Sequence, residues 1–557
     1  MRKSQLFPFV LIIFVISSCG GGTSSATNDN AVANVPTVAP LFGEIESDTE
    51  VEETLSNGDV VETDLPEDIT DKLLIVVDAA QNVHPISPLI YGVSGADSEV
   101  LQALQPTVNS WGGNPSTRYN WELGNAWNAG SDWEYRNGNY GYEGSSASDD
   151  FIEDSQTFGA AVRLAVPTLG WVARNDDNDT CSFPLPNGGC GDAGGATCDS
   201  SGEQADPTVA NVESNVDSIV DWMNHLNQQG HDVRFVAMDN EPELWGITHY
   251  DIHPECTTYE EVLDKYKTYA AAVHAVVPDV EITAPAICCW FDYWDFAPGP
   301  VDTSVSSEQD FLSWFLDNVR EFDAQLGERT LDVMDVHYYP EGVFNDDVDA
   351  NTAAQRLRST RSLWDKSYTD ESWIGKPIYF IPRMKDTIAN HYPETKLGIS
   401  EWNWGADESM NGALAIADVL GIYGREDVYF ASYWRYPPLQ SPGYFAFKLY
   451  TNFDDENGRF GDTSILAQSN DIDAVSSYAA LNSKTGDLHV ILINKQPEST
   501  ADILLQLNNF SPSGEGILYR YDQTELEQIQ TETVVINNTT NITLPAYSIT
   551  LLVLSSQ

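Results

Sequence analysis

Between residues 87 and 456 one alternation recurs eight times. Short apolar runs of strand character lie at 89–93, 108–111, 161–166, 233–238, 280–284, 333–338, 397–400 and 428–433. Between several of them come longer stretches with apolar residues three and four apart, as at 212–229, 259–276, 311–326, 353–364 and 412–423. Consecutive apolar residues suit a strand buried on both faces, and parallel strands need a long crossover between them. Eight such units predict an α/β fold in which residues 87–456 close into a (β/α)8, TIM-like barrel with long loops. After residue 456 the pattern changes to short alternating runs, at 474–480, 488–493, 503–507, 516–521, 533–536 and 549–554, separated by Asn, Gly, Ser and Thr. Residues 457–557 therefore read as an antiparallel β-sandwich, and the strand-like run at 73–78 within 72–86 is expected to add a strand to it.

The first residues read as an export signal. Arg2 and Lys3 precede an apolar stretch at 6–16 that is too short to span a bilayer. It runs into Ser17-Ser18-Cys19, which resembles the end of a bacterial lipoprotein signal. Residues 1–19 are thus expected to be that signal, with Cys19 lipidated; an ordinary cleaved signal is the alternative. Residues 20–71 hold no Lys or Arg and are dense in Asp and Glu from position 44, the composition of a disordered, self-repelling tether. The expected location is the bacterial cell surface, lipid-anchored to the outer membrane, or the medium. Membrane contact would be through the lipid alone, and a monomer is expected. Of the remaining cysteines, Cys181, Cys190, Cys198, Cys256, Cys288 and Cys289 form an even set, which in an exported chain favours disulfides whose pairing the sequence leaves open.

With 85 acidic residues against 27 basic ones, the formal charge is −58. Polyanions such as nucleic acid would be repelled, so a neutral ligand is expected. Its chemistry is written in two segments: Met238-Asp239-Asn240-Glu241-Pro242-Glu243-Leu244-Trp245, and Ile399-Ser400-Glu401-Trp402-Asn403-Trp404. Each is an apolar run ending in a glutamate among amides and indoles, and barrel enzymes carry reactive groups at the carboxyl ends of their strands. Two carboxyl groups facing each other across a sugar can break a glycosidic bond, one as a protonated acid and one ionised. Glu241 is the better acid and Glu401 the better nucleophile, with Tyr338 placed to hydrogen-bond it. A separation of about 5–5.5 Å would mean retention, and about 6.5–9.5 Å inversion. Trp111, Asn114, Asn240, Trp245, His337, Trp402, Trp404 and Trp434 also fall at strand ends and are candidates for holding sugar units, whereas Trp314, Trp364 and Trp373 read as structural.

The set Asn109-Ser110-Trp111-Gly112-Gly113-Asn114, Thr117 to Trp121, Met238 to Trp245 with Thr248-His249, Val336 to Glu341, Leu397 to Gly405 and Phe460-Gly461-Asp462-Thr463 resembles glycoside hydrolase family 44, a group of endo-β-1,4-glucanases and xyloglucanases. The resemblance spans nearly all of the chain from residue 73. It implies a (β/α)8 barrel with a β-sandwich made from both chain ends, retaining chemistry, an acid/base at Glu241, a nucleophile at Glu401 and an open cleft for neutral β-glucan. No organic cofactor is implied, though the family accommodates structural calcium or zinc, and His249, Asp251, His253 and Glu255 make a ligand-rich stretch that a hydrogen-bond network explains equally well. The family usually has Tyr where Trp402 stands, and the Cys-rich loop at 176–205 looks inserted. Two other readings stand beside this one. One is a non-catalytic surface glycan-binding lipoprotein, which would not need both glutamates; the other is a retaining barrel glycosidase of mannan or xylan.

Overall fold

The structure is a computed structural model that describes residues 73–141, 146–198, 200, 202–294 and 309–557. The expected signal, the lipidation site Cys19 and the acidic tether lie outside the described residues. Among the described residues no helix is long and apolar enough to cross a membrane.

Eight parallel strands close into a barrel: Gly92–Ser94, Val108–Trp111, Ala161–Val166, Phe235–Met238, Glu281–Ile287, Val333–Tyr338, Lys396–Trp402 and Phe430–Tyr433. Each overlaps one of the apolar runs, because a barrel strand is covered by helices outside and side chains inside, but the first begins only at Gly92, since Pro88–Ile90 turns as a 3-10 helix. The interior is layered. At the amino-terminal end Val108, Phe235, Val333 and Phe430 form an apolar plug, with the two phenylalanine rings stacked 5.0 Å apart. Gly398 makes room for it, since a Cβ there would lie 2.1 Å from the Phe430 ring. Two residues further along the strands the interior turns polar. Arg163 of the third strand reaches across to Asp335 of the sixth at 2.7 Å and donates to Ser110 of the second at 3.1 Å. Asp335 also accepts from Thr283 and from the Ser400 amide, so five strands share one buried network. Such a group is tolerated in the interior only because its partners are all present.

The helices follow their local signals. Val216–Gln229 starts at Asn215, whose side chain accepts from the amides of Asp217 and Ser218, and stops at Gly230 with φ 77°. Its buried Ile219, Trp222, Met223 and Leu226 keep the three-and-four spacing. Met410–Arg425 differs in being buried on nearly every side. It lies between the barrel and the second sheet, where Asp418 accepts from Thr360 on one side and from Ser476, Tyr478 and Lys495 on the other.

That second sheet has ten strands, and both of its halves contribute to one apolar core containing Ile75, Val77, Val490, Leu492, Ile503, Leu505 and Leu552. Leu73–Asp78 joins it as expected, antiparallel to Thr463–Ser469. Its other neighbour, Ala501–Asn508, runs parallel to it, so the sheet is not wholly antiparallel. Thr463–Ser469 and Thr539–Leu544 were not expected as strands; their Thr, Ser and Asn content masks the alternation. The six cysteines pair as Cys181–Cys190, Cys198–Cys256 and the adjacent Cys288–Cys289.

Candidate active site

Glu241 and Glu401 meet at the carboxyl end of the barrel. Glu401 lies within the seventh strand, in register with His337 of the sixth. Glu241 lies three residues past the fourth strand in left-handed backbone, φ 42° and ψ 56°. His337 is fully buried between them, its Nδ1 2.9 Å from Glu241 Oε1 and 3.4 Å from Glu401 Oε2. One oxygen of each carboxylate and one nitrogen of His337 lie within 4.8 Å of one another. The phenol of Tyr339 donates to Glu401 Oε2 at 2.8 Å, while Oε1 has no hydrogen-bond partner among the described residues.

The electrostatics follow from burial among like charges. Burial pushes the Glu401 carboxyl up to about 7, with Glu241 adding to the rise and His337, Tyr339 and Arg163 opposing it. Burial disfavours a charged His337, yet the two glutamates outweigh it and raise its pKa above the ordinary imidazole value.

The neighbouring residues sort clearly. Asn240 is buried and braces the backbone, accepting from the Gly113 amide at 3.1 Å and donating to Asn114 at 3.2 Å. Asn114 in turn donates to Asp132 at 2.7 Å, in a half-buried position at the mouth. Trp434 is half-buried there too. Its ring lies on Gly113, where φ is 73° and a Cβ would come within 2.3 Å of the indole. Asp239 anchors the turn before Glu241 by accepting from Thr117, Thr168, Leu169 and Asn240.

Several expectations are corrected. Tyr338 does not reach Glu401. Side chains alternate along a strand, so Asp335, His337 and Tyr339 point inward, while Tyr338 stacks on Trp404 and packs on Phe380 outside the barrel. Trp402 and Trp404 have no exposed surface: Trp402 packs edge-on against Tyr423 and Tyr433, and Trp404 donates to Ser359. Trp245 is buried against Leu169, Ile252 and His253, and Trp111 against Tyr119, Tyr140 and Phe151. None of these four indoles offers a face to a sugar. His337 has no exposed surface either and works on the two glutamates, not on a ligand. Trp373, read as structural, is instead 54% exposed and stacks on the exposed ring of Phe291. Sequence reasoning missed Tyr339 and Arg163; strict alternation from Asp335 would have found Tyr339.

The ligand-rich stretch at 249–255 does not converge. Asp251 takes two bonds from Arg118 and one from Ser182, His253 faces Glu261, and Glu255 is exposed. Among the described residues, the one group of His, Cys, Asp and Glu side chains close enough to hold an ion is Glu241, His337 and Glu401.

The profile of glycoside hydrolase family 44 matches residues 126–342. Endoglucanase A of Paenibacillus lautus is 31% identical over 504 residues, covering 83% of this chain and 70% of that protein. The crystal structure of CelM2, a bifunctional glucanase-xylanase from a metagenome library, is 33% identical with a TM-score of 0.82, covering 87% of this chain and 99% of that one. A family 44 xyloglucanase of Paenibacillus polymyxa, solved with xyloglucan, is 29% identical with a TM-score of 0.74 over 87% of this chain and 100% of its own.

Proposed function

From the premise that the chain belongs to glycoside hydrolase family 44, we propose that it cleaves β-1,4-glucan backbones with retention, Glu241 serving as acid/base and Glu401 as nucleophile. That it is an endo-acting glycoside hydrolase of β-glucans follows from its relatives, among them an endoglucanase and a xyloglucanase. The observation that supports the retaining reading is that one oxygen of each carboxylate lies within 4.8 Å of the other. Direct attack by one carboxylate needs about 5–5.5 Å between the pair, and an interposed water needs about 6.5–9.5 Å.

In the first step Glu241 gives its proton to the glycosidic oxygen as the bond to the anomeric carbon breaks, and a Glu401 oxygen forms an ester to that carbon. In the second, Glu241 takes a proton from water, whose oxygen attacks the same carbon and releases Glu401 as carboxylate. The Tyr339 hydrogen bond and a charged His337 favour the ionised Glu401 that the first step requires. Chemistry is complete with two carboxyl groups and water, so we assign no cofactor; an ion held by the trio would occupy both carboxylates. Trp434 and Asn114 are the sequence-selected residues left to hold sugar beside the scissile bond. We propose xyloglucan and soluble cellulose-like or mixed-linkage glucans as substrates, and a monomer exported on the lipid of Cys19 or secreted.

Reducing-end release from a panel of purified polysaccharides tests the substrate, and proton NMR of the first-formed anomer tests the stereochemistry. Glu241→Gln and Glu401→Gln should each abolish turnover of polymer. Predominant release of mannose- or xylose-backbone oligomers, or an inverted first product, would refute the reading.

A further inference from the structure

The backbone at Glu241 is one that an unassisted glutamate avoids. Left-handed φ at a non-glycine residue is unfavourable and persists only where its surroundings impose it. Asp239, two residues earlier, is left-handed as well, with φ 71°. Its carboxylate fixes it to the segments that follow the second and third strands through Thr117 and Thr168. What fixes the turn on its far side is the segment leaving the fifth strand. The Glu241 amide donates to the Ala286 carbonyl at 3.0 Å. Glu243 Oε1 accepts from the Cys288 amide at 2.7 Å. The Tyr293 hydroxyl donates to the carbonyl of His337. One eight-residue stretch, 286–293, thus touches Glu241, Glu243 and His337.

Glu243 is an unusual anchor, because it is a buried carboxyl whose second oxygen has no hydrogen-bond partner among the described residues. The titratable groups facing it are Asp292, Glu241 and Tyr293. Among these described residues, none is a cation. An ionised Glu243 would set a further negative charge beside the two carboxyl groups that the reaction uses, whereas a neutral acid accepts the Cys288 hydrogen bond at no such cost. Burial, then Asp292 and Glu241, hold its pKa well above the ordinary carboxylate value. The amide it grips belongs to one of the two adjacent cysteines joined as Cys288–Cys289, and that ring restrains the peptide between them.

We propose that Glu243, anchored on the Cys288–Cys289 turn, is a positioning residue that fixes the reach of Glu241 toward the glycosidic oxygen. The inference rests on the assignment of Glu241 as acid/base and adds what holds it in place. It acts through geometry and not through charge, so glutamine should substitute for it and alanine should not.

The test uses the purified full chain and compares Glu243→Gln, Glu243→Ala and the double variant Cys288→Ser/Cys289→Ser on a soluble β-glucan, reading kcat, KM and the pH profile of kcat/KM. Displacement of a reacting group by 1 Å costs about 10²-fold, so Glu243→Ala should lower kcat by about 10- to 100-fold with KM within about twofold. Glu243→Gln should stay within about threefold of the parent, with the pH profile unmoved, because it keeps a neutral carbonyl acceptor. The cysteine double variant should lose kcat as Glu243→Ala does, to a smaller extent, and it decides the matter if Glu243→Ala does not fold. An unchanged kcat in both the alanine and the cysteine variants, or a Glu243→Gln as impaired as Glu243→Ala, would overturn the proposal. A parent enzyme inactive on every β-glucan would instead overturn the underlying assignment, so the two failures are distinguishable.

Discussion

Replacing Tyr339 with Phe removes one hydrogen bond and almost no volume. That bond is 2.8 Å long and ends on Glu401 Oε2, whose sister oxygen has no partner and whose next contact is His337 at 3.4 Å. A hydrogen bond to a charged group is worth about 1.5–3 kcal/mol, and with so little else supporting the carboxylate the upper half of that range applies, about 2–3 kcal/mol. If the loss falls on the ionised form, kcat/KM near neutral pH should drop roughly 30- to 150-fold, at about 1.4 kcal/mol per decade. The sign with pH follows. Glu401 must be ionised to attack, burial already pushes it up to about 7, and Tyr339 is among the groups that oppose the rise. Without the phenol the acid limb of the kcat/KM profile should move to higher pH by at least about one unit, and part of the lost rate should return at alkaline pH. Initial rates of reducing-end release across pH 5–9 on a soluble β-glucan measure both, with Tyr338→Phe as the control. Tyr338 lies outside the barrel against Trp404, so its hydroxyl should not matter to the profile. A Tyr339→Phe enzyme with the parental rate and acid limb, or a Tyr338→Phe enzyme with the shifted one, would refute the reasoning.

Two of the sequence-selected tryptophans should separate by readout. Trp404→Ala empties a fully buried site and should cost about 3–5 kcal/mol in urea unfolding, whereas Trp434→Ala should raise KM several-fold with little change in stability. Gly113→Ala should mimic Trp434→Ala in KM, since its Cβ would displace the indole from 2.3 Å, and it adds a left-handed alanine that lowers the melting temperature modestly. Asp418→Asn leaves Lys495 buried without its counter-charge and should cost about 3–5 kcal/mol by thermal or urea unfolding. Burial alone would raise the Asp418 carboxyl, but Lys495, Ser476 and Thr360 hold it below the ordinary value. Its contribution is therefore present above about pH 4, the unfolded carboxylate value, and fades as the pH falls through the lower folded one, so parent and variant should converge in acid.

What could be read in advance divides along one physical line. The barrel strands and the two glutamates were legible because continuous apolar runs of the right length have few other uses, and because strand ends are where a barrel presents its chemistry. Which side a given residue faces was harder. Trp402 and Tyr338 sit one position from functional side chains, and at the end of the sixth strand the outward Tyr338 and inward Tyr339 are the same residue type, so only the alternation begun by Asp335 and His337 separates them. The seventh strand adds a register shift next to Glu401, between Ile399 and Trp402. Arg163 and Asp335 come from strands 172 residues apart, and nothing local in either segment announces the other. The partnering of Leu73–Asp78 with Ala501–Asn508 is likewise a fact of tertiary packing, since a strand's own pattern names no neighbour.

That last pairing decides when the molecule can finish folding. Residues emerging first must wait for the final sixth of the polypeptide before Leu73–Asp78 finds the place between Thr463–Ser469 and Ala501–Asn508 that its apolar face requires. Loop closure over such a span adds little to the equilibrium cost but a great deal to the delay. A ribosome that stalls before residue 508 would leave that ribbon uncovered, and truncation from either end should yield the same insoluble product.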